Sequence, residues 1–332
     1  MIPFSILDLS PVPEGLTVRD ALEQSRLMAI KAEDCGYQRL WLAEHHGMPG
    51  IASAATSIVI GHVAAATRRI RVGSGGVMLP NHSPLVIAEQ FGTLAALFPG
   101  RIDLGLGRAP GTDMRTARAL RRNLEAGAEN FPHDIVELQR LLGEPTEDQL
   151  ILAVPGANSN IPLWLLGSSI YSAHLAAALG LPYAFASHFA PDMLMDAIAI
   201  YRERFQPSDA LDKPYVMVGV MGVAADTDEE AARLFTSPQQ QFVNLRKNIR
   251  SQFPRPVATM DGLWTEMERM SVDHTLRFAA VGSPARIEAQ LSQFLQETGA
   301  DELIVSMPIH DIDARLRSVE LFAGLSLMEK AQ

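Results

Sequence analysis

The segment Leu40-Trp41-Leu42-Ala43-Glu44-His45-His46 ends a short apolar run on a carboxylate and two imidazoles. An imidazole titrates near neutral pH, so His45 and His46 suit proton transfer; the alternative is a structural or solvated pair. Adjacent histidines point to different faces and no third ligand stands at a typical spacing, so metal binding is disfavoured. Gly73-Ser74-Gly75-Gly76 offers bare backbone, which is either a tight strand end or a surface for a flat aromatic ligand. Arg108 follows Gly105-Leu106-Gly107, Ser168 and Ser169 follow Leu166-Gly167, and His188 follows Tyr183 to Ala186. Serines at a helix start usually cap it, yet the same free amides bind phosphate, and Ser172 lies one turn further on. Arg108 and Arg118 would supply the matching charge; taken alone, Arg118 reads as a solvated helix residue.

Such groups need rigid supports that end on one side. Eight β-type runs provide them: Phe4 to Asp8, Arg39 to Ala43, Ile70 to Gly76, Ile102 to Gly107, Leu163 to Leu166, Tyr183 to Ala186, Val216 to Ala224 and Leu303 to Met307. Helical patterns alternate with them, among them Thr17 to Cys35, Pro84 to Leu97 and Pro284 to Glu297. Ser83-Pro84 and Ser283-Pro284 place a cap and a first-turn proline where helices should start, and Gly36 and Gly180 stand where helices should end. The expected fold is an α/β (β/α)8 TIM barrel, one domain over 1–332, with an open doubly wound sheet as the alternative. Insertions are expected around 142–161, as a turn or hairpin, and around 226–282, as a lid or binding element. In a parallel barrel the clusters named above all gather around one mouth. Neither glycine stretch completes a dinucleotide fingerprint: position 78 is Met, and Gly107 runs on into Arg108-Ala109-Pro110.

Composition narrows the function. With 47% hydrophobic and 20% charged residues the chain has ample apolar surface for a core. The 28 basic residues against 38 acidic ones leave a net charge of -10, which repels a nucleic-acid backbone; only Arg118, Arg121 and Arg122 cluster. Cys35 stands alone, so no internal disulfide forms and it reads as a small buried residue. The opening Ile2-Pro3-Phe4-Ser5-Ile6-Leu7-Asp8 lacks the pattern of a signal peptide, and no apolar stretch reaches the roughly 20 residues that span a bilayer. A cytoplasmic protein without membrane insertion is expected.

Taken together, these motifs resemble the bacterial luciferase-like flavin monooxygenases over most of the chain. The markers are Trp41 to His46, Val72-Gly73-Ser74-Gly75-Gly76-Val77-Met78-Leu79-Pro80, Gly100 to Arg108, Gly111-Thr112-Asp113-Met114 leading to Arg118, and Leu166-Gly167-Ser168-Ser169 leading to Ser172. The resemblance implies reduced FMN as cofactor or cosubstrate and O2 as oxidant. It implies a C4a-peroxide that attacks an aldehyde, ketone or other small organic substrate. With no nicotinamide fingerprint in the chain, reduced flavin is expected from a separate NAD(P)H-flavin reductase; the resemblance implies a homodimer, and the small-residue run Ser53 to Thr67 either offers a surface for it or packs on its own barrel. A non-prolyl cis peptide is implied at Gly75-Gly76, phosphate contacts at Arg108, Arg118, Ser169 and Ser172, and proton transfer at His45. Ser168 joins the cofactor site but stands where light-emitting luciferases carry an acidic residue, so light emission is not implied. Related barrels use the deazaflavin F420 for hydride transfer, although the sequence shows no basic track for its charged tail. A non-catalytic flavin-binding protein is a third reading, and a metal-dependent hydrolase on the same fold a distant fourth.

Overall fold

The strand period of two divides each apolar run between two cores. Phe4 and Ile6 of β1 (Ile2–Asp8) and Leu40 and Leu42 of β2 (Arg39–Leu42) join the large core beneath the helices. Leu7 and Trp41, on the opposite faces of the same strands, join Trp164, Met217 and Ile304 in a smaller cluster inside the ring. The structure, a computed structural model, describes residues 1–109, 111, 114–120, 129–147 and 149–331. Pro110, Thr112, Asp113, Arg121 and Arg122 of the sequence motifs lie outside the described residues.

The remaining strands are β3 (Arg71–Met78), β4 (Ile102–Gly107), β5 (Leu163–Gly167), β6 (Tyr183–Phe185), β7 (Val216–Ala224), β8 (Ala280–Gly282), β9 (Glu302–Ser306) and β10 (Met328–Glu329). From β1 to β7 each strand pairs in parallel with the next, and β9 pairs in parallel with both β7 and β1. That closes an eight-stranded (β/α)8 barrel from the runs expected of the sequence. β8 and β10 are additions outside the ring, on the end of β7 and the start of β1. At three and two residues they are too short to leave a periodic signal.

The helices between strands are α1 (Val18–Cys35), α2 (Thr56–Ala65), α3 (Pro84–Leu97), α4 (Met114–Leu120), α5 (Phe131–Leu142), α6 (Ile170–Leu179), α7 (Leu194–Arg204), α8 (Asp228–Arg246), α9 (Glu266–Thr275), α10 (Pro284–Thr298) and α11 (Ile312–Ala323). Gly36 and Gly180 end α1 and α6 at φ of 83° and 61°, the left-handed region that a side chain disfavours. Ser83 and Ser283 stand at the N-caps of α3 and α10 as expected, but neither side chain makes a capping bond. Helix α2 buries Val59, Ile60 and Val63 against its own barrel and leaves Ile58 73% exposed. Among the described residues no helix is long and apolar enough to cross a membrane.

Both insertions take a definite form. Among the described residues, 143–162 holds neither helix nor strand; its Ala153 is buried, and a Cβ on Gly92 of α3 would lie 2.4 Å from Gly156 Cα. The 226–282 segment holds α8, α9 and β8 around a loop that is stitched to the chain after β1. Phe253 N–H donates to Val12 O at 2.8 Å and Glu14 N–H to Phe253 O at 2.8 Å. The ring interior is plugged by charge: Arg39 bridges Asp103 and Glu302 at 2.8 Å each, Arg71 also holds Asp103, and Trp41 Nε1 donates to Asp103 at 3.1 Å.

Candidate functional site

Beyond β2 the chain sends neighbouring side chains to different tasks. Glu44, 1% exposed, turns toward the end of β3, where its Oε2 accepts the Met78 N–H at 3.0 Å. Its Oε1 lies 2.8 Å from His46 Nε2 and 2.9 Å from His82 Nε2. Burial pushes this carboxyl up, but His82, His46 and the Met78 amide outweigh it and hold the pKa below the ordinary glutamate value. Glu44 and His46 therefore form a clamp between strand ends. Glu44→Gln is expected to cost about 2–3 kcal/mol at neutral pH, the range for hydrogen bonds to a charged group. Because the folded-state pKa is the lowered one, this contribution is complete above about pH 4.5 and fades as pH falls through the folded value. Urea unfolding of both proteins from pH 7 to 3 should show the gap closing on acidification; a constant gap contradicts a charged clamp.

His45 faces the other way, into a cavity of about 640 Å³ at the C-terminal ends of the strands. That volume lies within the usual range of small-molecule sites, roughly 300–1,000 Å³. His45 is half-buried, and its Nδ1, which is buried, has no hydrogen-bond partner among the described residues. Burial lowers its pKa, with His46 adding to the effect and Glu44 opposing it. Gly75, Gly76, Arg108, Ser168, Ser169 and Ser172 line the same cavity.

The Gly75-Gly76 peptide is cis. A Cβ on Gly75 would lie 2.7 Å from Leu7 Cδ1, and one on Gly76 2.8 Å from Gly105 O. Both absences are thus required by close approach within the barrel wall, which also leaves bare backbone facing the cavity. At β5, Ser169 occupies the N-cap of α6 without capping it, and its hydroxyl makes no hydrogen bond among the described residues. The Arg108 guanidinium stacks 4.0 Å from the centre of the Tyr171 ring on the same helix. An open hydroxyl, unpaired helix amides and a fixed cation make an anion-binding end for this cavity.

Residues 2–302 match the model of the luciferase-like monooxygenases. The chain belongs to that family. A luciferase-like monooxygenase of Escherichia coli K12 is 54% identical over 320 residues, 96% of each chain. The solved apo-MsnO8 structure superposes with a TM-score of 0.89 at 35% identity, covering 99% of this chain and 100% of that one. At lower identity two structures share the fold: the oxygenating constituent of 3,6-diketocamphane monooxygenase with FMN and an F420-dependent secondary alcohol dehydrogenase. Their TM-scores are 0.70 and 0.69, at 18% and 15% identity, and they cover 100% and 98% of this chain and 99% and 98% of their own.

In this luciferase-like monooxygenase two expected phosphate contacts are placed differently. Arg118 is exposed and does not line the cavity. Ala117 is the buried residue of its turn, and the next position on a helix points about 100° away. Ser172 lines the cavity, but its hydroxyl donates to Ser169 O at 2.8 Å and meets Tyr183 Oη at 3.0 Å, so it braces the turn that presents Ser169. Side chains from distant parts of the chain complete the site. Gln241, Phe242, Leu245 and Phe253 of the 226–282 insertion line it, and Arg315 reaches it from α11. Arg315 is paired with Asp8 at 2.7 Å; burial pushes Asp8 up, while Arg315, Ser25 and the Ser10 amide hold it lower. His188, which the sequence places at the end of β6 among the clusters of the barrel mouth, lines the cavity too.

Proposed function

We propose that this luciferase-like monooxygenase takes reduced FMN and O2 and oxygenates a small, largely apolar aldehyde, ketone or similar organic substrate. The observation that carries this reading is the single cavity that joins an anion-binding end to bare backbone at Gly75-Gly76 and an unpartnered imidazole at His45. These residues suit FMN: Arg108, Ser169 and the α6 amides would hold its phosphate, and the bare backbone at Gly75 and Gly76 would receive its ring. When bound, reduced FMN supplies the electrons for O2 activation.

The chain's own residues do the rest. Arg108 and Ser169 bind and orient, because a fixed fork and a free hydroxyl recognise phosphate oxygens. His45 holds or releases a proton at its ring nitrogen beside the reacting groups. Phe242, Leu245 and Phe253, with Met48 and Met78, make walls that exclude water and favour an apolar substrate.

Anaerobic titration with reduced FMN tests this proposal. Arg108→Ala should weaken binding by at least about tenfold, and Ser169→Ala by roughly fivefold, the effect of losing about 1.4 and 1 kcal/mol. F420 is titrated alongside, since an F420-dependent enzyme shares the fold. Binding of F420 with no binding of FMN in either redox state would replace the monooxygenase reading with hydride transfer.

A further inference from the structure

We propose that Arg315 is a specificity-determining residue, whose free guanidinium nitrogen donates to a neutral oxygen of the substrate, so that the site prefers uncharged carbonyl-type molecules to carboxylates. The proposal rests on the oxygenation reading above and names what the substrate of that cavity carries. Arg315 lines the cavity although it is only 1% exposed. Its Nε donates to Met307 O and its Nη2 to Asp8 Oδ1, both at 2.7 Å. Those two bonds staple the end of β9 to the end of β1 and leave Nη1 over. Nη1 is buried and has no hydrogen-bond partner among the described residues. An open buried donor on a charged group is costly, and a purely structural staple gives no reason for it.

The ring separates this guanidinium from the site proposed for the flavin phosphate. Arg108 follows β4 and Ser169 follows β5, and in the eight-stranded ring these strands stand opposite β9 and β1. Arg315, fastened to Met307 and Asp8, therefore faces the anion-binding end from across the mouth. The strands that hold it contribute Leu7 and Ile304 to the cavity lining, and the chain just beyond them Leu9 and Pro308, all apolar. A single charge-assisted donor on an apolar wall selects for one well-placed oxygen.

Asp8 decides the charge which that oxygen can carry. Burial pushes the Asp8 carboxyl up, but Arg315, Ser25 and the Ser10 amide hold it below the ordinary aspartate value, so the pair is ionised and neutral overall. Among the described residues no carboxylate and no lysine lines the cavity, and no arginine besides Arg108 and Arg315. A substrate carboxylate beside Arg315 would lose its hydration to meet a positive charge that is already matched. A ketone or aldehyde oxygen accepts from Nη1 without stripping a charge of its water.

The test is calorimetric titration of the full-length protein, with and without oxidised FMN, using three probes of similar shape. They are cyclohexyl methyl ketone, isopropenylcyclohexane, in which a methylene replaces the carbonyl oxygen, and cyclohexanecarboxylate. Wild type should bind the ketone at least about tenfold more tightly than either of the others, the effect of one hydrogen bond from a charged donor. Asp8→Asn leaves the Arg315 charge unmatched and should reverse the order, the carboxylate now binding more tightly than the ketone; a merely structural arginine gives no such reversal. Arg315→Met alone strands the buried Asp8 carboxylate and can fail to fold, so the donor is deleted in the double variant Asp8→Asn with Arg315→Met, which removes both charges. There the ketone and the alkene should bind within about threefold of each other. The proposal is overturned by a wild type that does not prefer the ketone to the alkene, by a preference that survives in the double variant, or by an Asp8→Asn protein that still prefers the ketone to the carboxylate. FMN affinity is read in the same samples, and a loss in the double variant as large as that of Arg108→Ala would give Arg315 to the flavin and overturn the substrate role. A ketone preference in a protein that binds no FMN would keep the acceptor site and remove the monooxygenase reading, so the two can fail separately.

Discussion

His45→Ala is expected to lower turnover by about 10²- to 10⁴-fold, the range in which a positioned acid–base group contributes, while reduced FMN still binds. The separation follows from the layout of the cavity. The anion-binding end is built by Arg108 and Ser169 after β4 and β5, whereas His45 follows β2 and makes no hydrogen bond to either among the described residues. Steady-state kinetics with an identified carbonyl substrate, together with a cofactor titration, would measure both quantities. A variant with wild-type turnover would remove His45 from the mechanism. Equal losses in FMN affinity and turnover would place it in the binding surface instead.

Arg39→Leu should be the most destabilising single change in the barrel interior, by about 3–5 kcal/mol, the cost of leaving buried charges without their partner. Arg39 donates to Asp103 and to Glu302, and both carboxylates have side chains with no exposure. Burial alone would lower the Arg39 pKa, but Glu302 and Asp103 reverse that and raise it. Arg71 still holds Asp103 in the variant, and Tyr215 Oη still donates to Glu302 at 2.9 Å, so the loss falls short of two bare charges. The guanidinium lies 4.8 Å from the Trp164 ring and 5.7 Å from that of Trp41, so tryptophan fluorescence reports directly on this plug. Urea unfolding followed by fluorescence should show the loss; an unchanged midpoint would mean that the network contributes packing alone.

Much of the fold was legible because strand and helix periods are local properties. Every run from Phe4 to Asp8 through Leu303 to Met307 falls on a barrel strand, since alternation and turn residues lie within a few positions of one another. The order of the glycine, arginine and serine motifs also sufficed to mark the family. The placement of individual side chains was less legible. Arg118 carries the right charge, yet the step of about 100° from buried Ala117 to the next helical position leaves it outside the cavity lining. Ser172 has the right hydroxyl, and Ser169 O and Tyr183 engage it. Arg315 belongs to the site through a chain separation that no local pattern spans.

The sequence by itself determined the parallel barrel, the strand ends that carry chemistry and the family, because these depend on short-range periodicity and on motif order. Only the tertiary structure decided which groups meet. Closing the ring sets β2 opposite β6, curvature brings Leu7 of β1 against Gly75 of β3, and the pairing of β6 with β7 brings His188 against Gly219. Burial then separated roles that the sequence lists side by side. The Glu44 carboxylate is satisfied by Met78, His46 and His82, whereas the His45 beside it is left open to the cavity.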